Sequence, residues 1–240
     1  MIIDFHAHVK RDPVSKVYDI EDCLRDMKAC GIDKRVISTL EGRSVHDINN
    51  AIVDFVQQYP DQLLGCAVIN PKEDDCVEEA RRVATMPEIC ALEFDPWEHG
   101  YLPERMEYHL DPILDIAAEN SLVVKMFSGW GPRTVPMQWE KYVRRHPDVT
   151  FVVLHIGGIG FGSIPFVGRY PNLMFETSGQ TELQVLHKAF GDLPAEKFIF
   201  GSNYPANITQ CSIDLFDILD LDEAAREKLF SANAKRILYL

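Results

Sequence analysis

Ile2-Ile3-Asp4-Phe5-His6-Ala7-His8 is the stretch on which the reading of this chain turns. Asp4, His6 and His8 alternate with Ile3, Phe5 and Ala7, a period of two that belongs to a β-strand and that predicts all three polar side chains on one face. His6 and His8 then stand about 7 Å apart along the strand, close enough to share one ion. Neutral imidazole is a nitrogen donor suited to zinc, iron, copper or nickel. Solvated histidines at a strand end are spelled the same way, but an apolar strand has no structural use for two of them in register.

Further along, short apolar runs recur at 35–40, 63–69, 91–95, 122–127, 150–155, 173–177 and 198–202, roughly one βα unit apart. Amphipathic helical patterns fall between them at 20–30, 45–59, 76–85, 112–119, 182–190 and 222–238. With 2–8 as the first strand, the alternation predicts an α/β fold of the (β/α)8 TIM-barrel type, with an open doubly wound sheet as the alternative. Polar residues at the C-terminal strand ends favour the barrel, because its mouth is where such residues gather: His8, Glu41, Asn70, Asp95, Ser128, His155, Ser178 and Asn203.

At 240 residues and 46% apolar content the chain can bury one large core, so 1–240 reads as a single domain. A net charge of −13 argues against a nucleic-acid or anionic-membrane surface and leaves a small molecule as the expected partner. Six cysteines without a C-x-x-C pair point to reduced thiols and a cytoplasmic protein. Neither a signal peptide nor an 18-residue apolar run is seen.

Several residues after the expected strand ends are candidate substrate contacts. Glu93 and Lys125 lie on neighbouring strands; if their parity points inward they meet inside the barrel, as an ion pair filling a barrel layer or with Lys125 as a catalytic base or nucleophile, and both are candidate substrate-binding residues. Arg133 is suited to clamp a substrate carboxylate and Trp130 to cover an apolar ring, although both are also ordinary loop residues. The run Gly157-Gly158-Ile-Gly160-Phe-Gly162 follows a strand, but it lacks the acidic ribose partner of a dinucleotide site.

Four stretches together resemble the amidohydrolase superfamily, in its amidohydrolase-related branch of decarboxylases and a lactonase. They are Asp4-Phe-His6-Ala-His8, Leu154-His155-Ile-Gly157-Gly158, Pro171-Asn172-Leu-Met-Phe-Glu-Thr177-Ser178-Gly179 and Phe200-Gly-Ser202-Asn203-Tyr204-Pro205. The resemblance implies a divalent metal, usually zinc, held by the strand-one histidines, a strand-five histidine and a strand-eight aspartate. Phe127 and Asn203 stand at the last two positions. Phenylalanine cannot ligate, and an amide lacks the charge and basicity of a carboxylate. The resemblance therefore leaves His6, His8 and His155 as metal ligands, with His155 and Asn203 as catalytic residues. It implies hydrolysis of a small carboxylated cyclic or unsaturated substrate. The alternatives are decarboxylation, metal-independent lactone hydrolysis and a non-catalytic binding barrel; a homodimer is also implied.

Overall fold

Eight strands, all pairing in parallel and in chain order, are present among the described residues: β1 Ile3–His8, β2 Lys34–Ser38, β3 Leu63–Val68, β4 Ile89–Phe94, β5 Val123–Met126, β6 Phe151–Val153, β7 Leu173–Glu176 and β8 Phe198–Ile199. The computed structural model describes every residue except Trp130, Ile159, Gly160, Gln180 and Thr181. Although β8 is short, the backbone continues alongside β1. Phe5 N donates to Phe200 O at 2.9 Å and Asn203 N to His6 O at 2.8 Å, with His8 N donating to Tyr204 O at 2.6 Å. These bonds close the ring, so the architecture is the barrel and not the open sheet.

The helices are α1 Ile20–Cys30, α2 Val45–Gln58, α3 Cys76–Ala84, α4 Glu107–Glu119, α5 Glu140–Arg145, α6 Ser163–Arg169, α7 Leu183–Asp192, α8 Thr209–Ile218, α9 Glu223–Glu227 and α10 Asn233–Leu238. Side-chain caps start the early ones: Asp19 accepts from Asp22 N in α1 and Ser44 from Asp47 N in α2. α4 begins earlier than the 112–119 expected, because Pro112 is tolerated one and a half turns in, where it leaves only the carbonyl of exposed Tyr108 without its N–H. The expected 222–238 helix is α9 and α10 joined by a π-helical turn at Lys228–Ala232. Among the described residues, no helix is long and apolar enough to cross a membrane.

The barrel interior holds Ile3, Phe5, Val36, Cys66, Ala91 and Val123, with Ala234 and Ile237 of α10 in the same cluster. A larger apolar shell between strands and helices contains Ala7, Ile37, Leu92 and Val124. β1 therefore changes parity along its length: Ile3 and Phe5 belong to the inner cluster and Ala7 to the outer shell. The register shows why, since Asp4 pairs with Arg35 and Ala7 with Ile37, three residues against two. This bulge corrects the expectation that Asp4, His6 and His8 share a face.

Asp4 instead lies in the outer layer, where its carboxylate accepts from Arg35 Nε at 2.8 Å and from Ser202 N and Oγ at 2.9 and 2.6 Å. Arg35 also reaches Asp26 of α1 at 2.7 Å. The first strand, the second strand, α1 and the end of the barrel seam are thereby tied together by one buried guanidinium, which satisfies the rule that a buried charge needs both a partner and hydrogen bonds.

Candidate active site

Past the bulge, His6 and His8 both turn toward the barrel axis, their ring centroids 4.9 Å apart. Glu93 of β4 lies beside them, with Oε1 3.5 Å from His8 Nε2. Its other oxygen is held by Lys125 Nζ of β5 at 3.0 Å and by Ser38 Oγ of β2 at 2.7 Å. Neither Glu93 nor Lys125 has any exposed side-chain surface. Burial alone drives Glu93 upward, but Lys125 and His8 outweigh it and hold the carboxyl down to about 2. Lys125 is likewise kept above its usual value, because the charge of Glu93 prevails over burial. Burial, reinforced by Lys125, lowers His6 well below the ordinary imidazole value, and burial lowers His8 although Glu93 opposes it.

His155 follows β6 in a turn where it and Ile156 adopt left-handed backbone, φ 58° and 51°. That conformation costs energy for residues with a Cβ, and it carries the imidazole into edge contact with His6 and Phe127, each with ring centroids 5.2 Å away. Its Nδ1 lies 3.0 Å from Ser178 Oγ, and Ser178 Oγ in turn donates to Glu176 Oε2 at 2.9 Å. Glu176 further accepts from His155 N at 3.1 Å and Ser178 N at 2.6 Å. Burial lowers His155 to about 4, so the ring is neutral at physiological pH. Burial raises Glu176 to about 7 against the pull of these donors.

Gly201 gives the Glu176 carboxyl its space, since a Cβ there overlaps Glu176 Oε1. Gly201→Ala is therefore expected to cost about 1–3 kcal/mol of stability through overpacking, measured by urea unfolding. An unchanged midpoint would show that the carboxyl does not occupy this position.

A cavity of about 440 Å³ opens over His6, His8, Phe127 and Asn203. Asn203 sits there in left-handed backbone, φ 54°, a region asparagine enters more readily than most residues. Lys10, Thr39 and Glu41 complete the rim. Lys10 is a site residue that strand-end reasoning passed over; its place two residues after His8 was the available signal. Arg133 is exposed on the loop after β5 and is not among the residues lining this cavity. Trp130 lies outside the described residues.

The sequence pointed to His155 as a third metal-binding nitrogen and to Glu93 as a substrate contact. Among the described residues, the His, Cys and acidic side chains whose donor atoms all come within 4.8 Å of one another are His6, His8 and Glu93. Two buried atoms of this group, His6 Nδ1 and Glu93 Oε1, have no hydrogen-bond partner, and unpaired buried polar atoms are costly without a ligand. Two imidazoles and one carboxylate are a donor set known for divalent ions with open coordination positions, so the residues present fit a metal. The ammonium of Lys125 beside Glu93 neutralises the one anionic donor and weakens the fit.

The Amidohydrolase family model matches residues 3–240. Solved structures with the same fold include 5-carboxyvanillate decarboxylase from Sphingomonas paucimobilis, at TM-score 0.81 and 15% identity over 100% of this chain and 99% of that one. 2,6-Dihydroxybenzoate decarboxylase in complex with 2,6-dihydroxybenzoate gives TM-score 0.78 and 15% identity over 100% and 99%. 5-Carboxyvanillate decarboxylase of Novosphingobium aromaticivorans, complexed with manganese and 4-hydroxy-3-methoxy-5-nitrobenzoic acid, gives 0.71 and 16% over 91% and 80%. No curated protein matches the sequence.

Proposed function

From the premise that this chain belongs to the amidohydrolase family, we propose that it hydrolyses a small carboxylated cyclic or unsaturated substrate, with His155 as general base. The observation that carries this reading is the placing of His155. It is a neutral imidazole with one ring nitrogen tied to Ser178, buried directly behind His6 and Phe127, the two lining residues its ring touches, and is not itself among the residues lining the cavity. A buried imidazole backed by hydrogen bonds is the arrangement that accepts a proton from water in hydrolytic sites. Lowered to about 4, the His155 ring keeps its lone pair unprotonated at neutral pH, with the basicity of an ordinary carboxylate, which Asn203 lacks.

His6, His8 and Glu93 would hold a divalent metal, which when bound supplies Lewis-acid polarisation of a carbonyl. Asn203 presents an amide that can donate to the developing oxyanion. Phe127 offers an apolar face to a ring or unsaturated substrate, and its ring excludes water from one side of His155. Lys10, the Lys or Arg residue among the described lining residues, meets the substrate carboxylate at the rim. Lys10→Ala should raise KM for a carboxylated substrate about fivefold, in line with the modest strength of exposed charge pairs, and leave kcat alone. An unchanged KM in steady-state assays would remove Lys10 from the recognition of the carboxylate.

Decarboxylation on the same scaffold is the second reading, favoured by the decarboxylases among the structural neighbours. The test is an assay of the protein, supplied with zinc or manganese, against carboxylated lactones, esters, amides and hydroxybenzoates. Ring opening or acyl cleavage supports hydrolysis; release of carbon dioxide from a hydroxybenzoate replaces it with the second reading. Binding without turnover across the panel would overturn both.

A further inference from the structure

We propose that Glu176 is a positioning residue which, through Ser178, fixes His155 in the tautomer that carries its proton on Nδ1. The inference deepens the reading of His155 as the proton acceptor and rests on it for its catalytic meaning. Ser178 Oγ has a single hydrogen and lies between Glu176 Oε2, at 2.9 Å, and His155 Nδ1, at 3.0 Å. An ionised carboxylate only accepts, so the hydroxyl hydrogen goes to Glu176. The lone pairs of Oγ then face Nδ1, and that nitrogen must donate. In a neutral ring, this leaves the lone pair on Nε2, the other ring nitrogen.

The surrounding backbone is shaped to keep these three groups together. Glu176 is also gripped by the N–H groups of His155 and Ser178, so the residue that orients the ring is fixed to the same turn that carries it. Gly201 lacks the Cβ that would overlap Glu176 Oε1. Gly179, at φ 70°, lacks a Cβ that would stand 3.0 Å from His155 Nδ1. The left-handed turn at His155 is the strained feature that these contacts hold in place. Direct ion pairing does not do this work, since His155 Nδ1 is 3.9 Å from Glu176 Oε2 and the hydroxyl lies between.

The relay makes a prediction about tautomers that needs no substrate. Glutamine at 176 has one oxygen in place of two; with its NH2 toward Ser178 Oγ it gives up the bond from His155 N and donates to Oγ, which then turns its hydrogen to Nδ1 and moves the ring proton to Nε2. The ¹⁵N signals of the His155 ring, assigned by their loss in His155→Asn, are to be read at about pH 8, above the Glu176 value. Wild type should show the Nδ1–H form in excess, and Glu176→Gln should change the ratio at least about tenfold toward Nε2–H, the scale of a hydrogen bond to a charged group. Ser178→Ala, a milder change, should bring the two forms closer, and it decides where the glutamine variant does not fold or keeps its oxygen toward Ser178. A wild-type ring protonated on Nε2, or a ratio unmoved in folded Ser178→Ala, which removes the acceptor of Nδ1–H altogether, overturns the proposal. In turnover assays Glu176→Gln should lower kcat with KM unchanged. A shifted tautomer with intact kcat would keep the relay but remove His155 from proton transfer, which separates the two claims.

Discussion

His155→Ala is expected to lower kcat by about 10²- to 10⁴-fold, the range in which a positioned general base contributes, with KM changed little. The expectation follows from what the site contains. Asn203 cannot take a proton from water, and Glu93 is engaged by Lys125, Ser38 and His8. Glu41 is exposed, and its carboxylate accepts from Arg11 N at 2.9 Å. His155 is left as the neutral, hydrogen-bonded base in contact with a cavity residue. The substitution removes an aromatic edge from His6 and Phe127 as well, so the fold must be checked by circular dichroism before the rate is interpreted. Turnover within a factor of a few of wild type would refute the assignment.

The second large effect is on stability. Lys125→Met leaves the Glu93 carboxylate fully buried without its cation, and breaking such a pair costs about 3–5 kcal/mol. For a domain of this size that corresponds to a fall in Tm of roughly 6–20 °C. The measurement belongs on chelator-treated protein, because a divalent ion among His6, His8 and Glu93 replaces part of the lost positive charge. For the same reason, added zinc or manganese should raise the Tm of Lys125→Met more than that of wild type. Glu93→Gln combined with Lys125→Met should recover stability relative to Lys125→Met, since no isolated charge remains. A loss below about 1 kcal/mol, the size typical of an exposed pair, would show that water reaches Glu93 and Lys125.

The barrel was legible because its signal is repetitive. Eight apolar runs at βα spacing with polar strand ends leave few other architectures, and the parity of Glu93 and Lys125 correctly placed them face to face across β4 and β5. Helices that carry breakers or lack caps were not legible. α6 contains Pro165 and Gly168, α5 has only six residues, and α8 starts without a side-chain cap. The bulge in β1 was invisible for a different reason. It exists only in the register between β1 and β2, which alternation within one strand does not encode, and it separates Asp4 from the histidines. The bond between His155 and Ser178 likewise joins a strained turn after β6 to the end of β7. Yet Glu176 carried a usable signal: a lone carboxylate inside the apolar run Leu173–Glu176, sharing inward parity with Met174.

The claim on which the rest depends is that β1 and β4 bring His6, His8 and Glu93 around a single point that a divalent cation can occupy. Anomalous diffraction from crystals equilibrated with manganese or zinc tests it most directly. One peak per chain bounded by the side chains of His6, His8 and Glu93, and absent from crystals of His6→Ala, is the result expected. Saturating ion that leaves this point empty, or a peak centred elsewhere in the barrel, would contradict it.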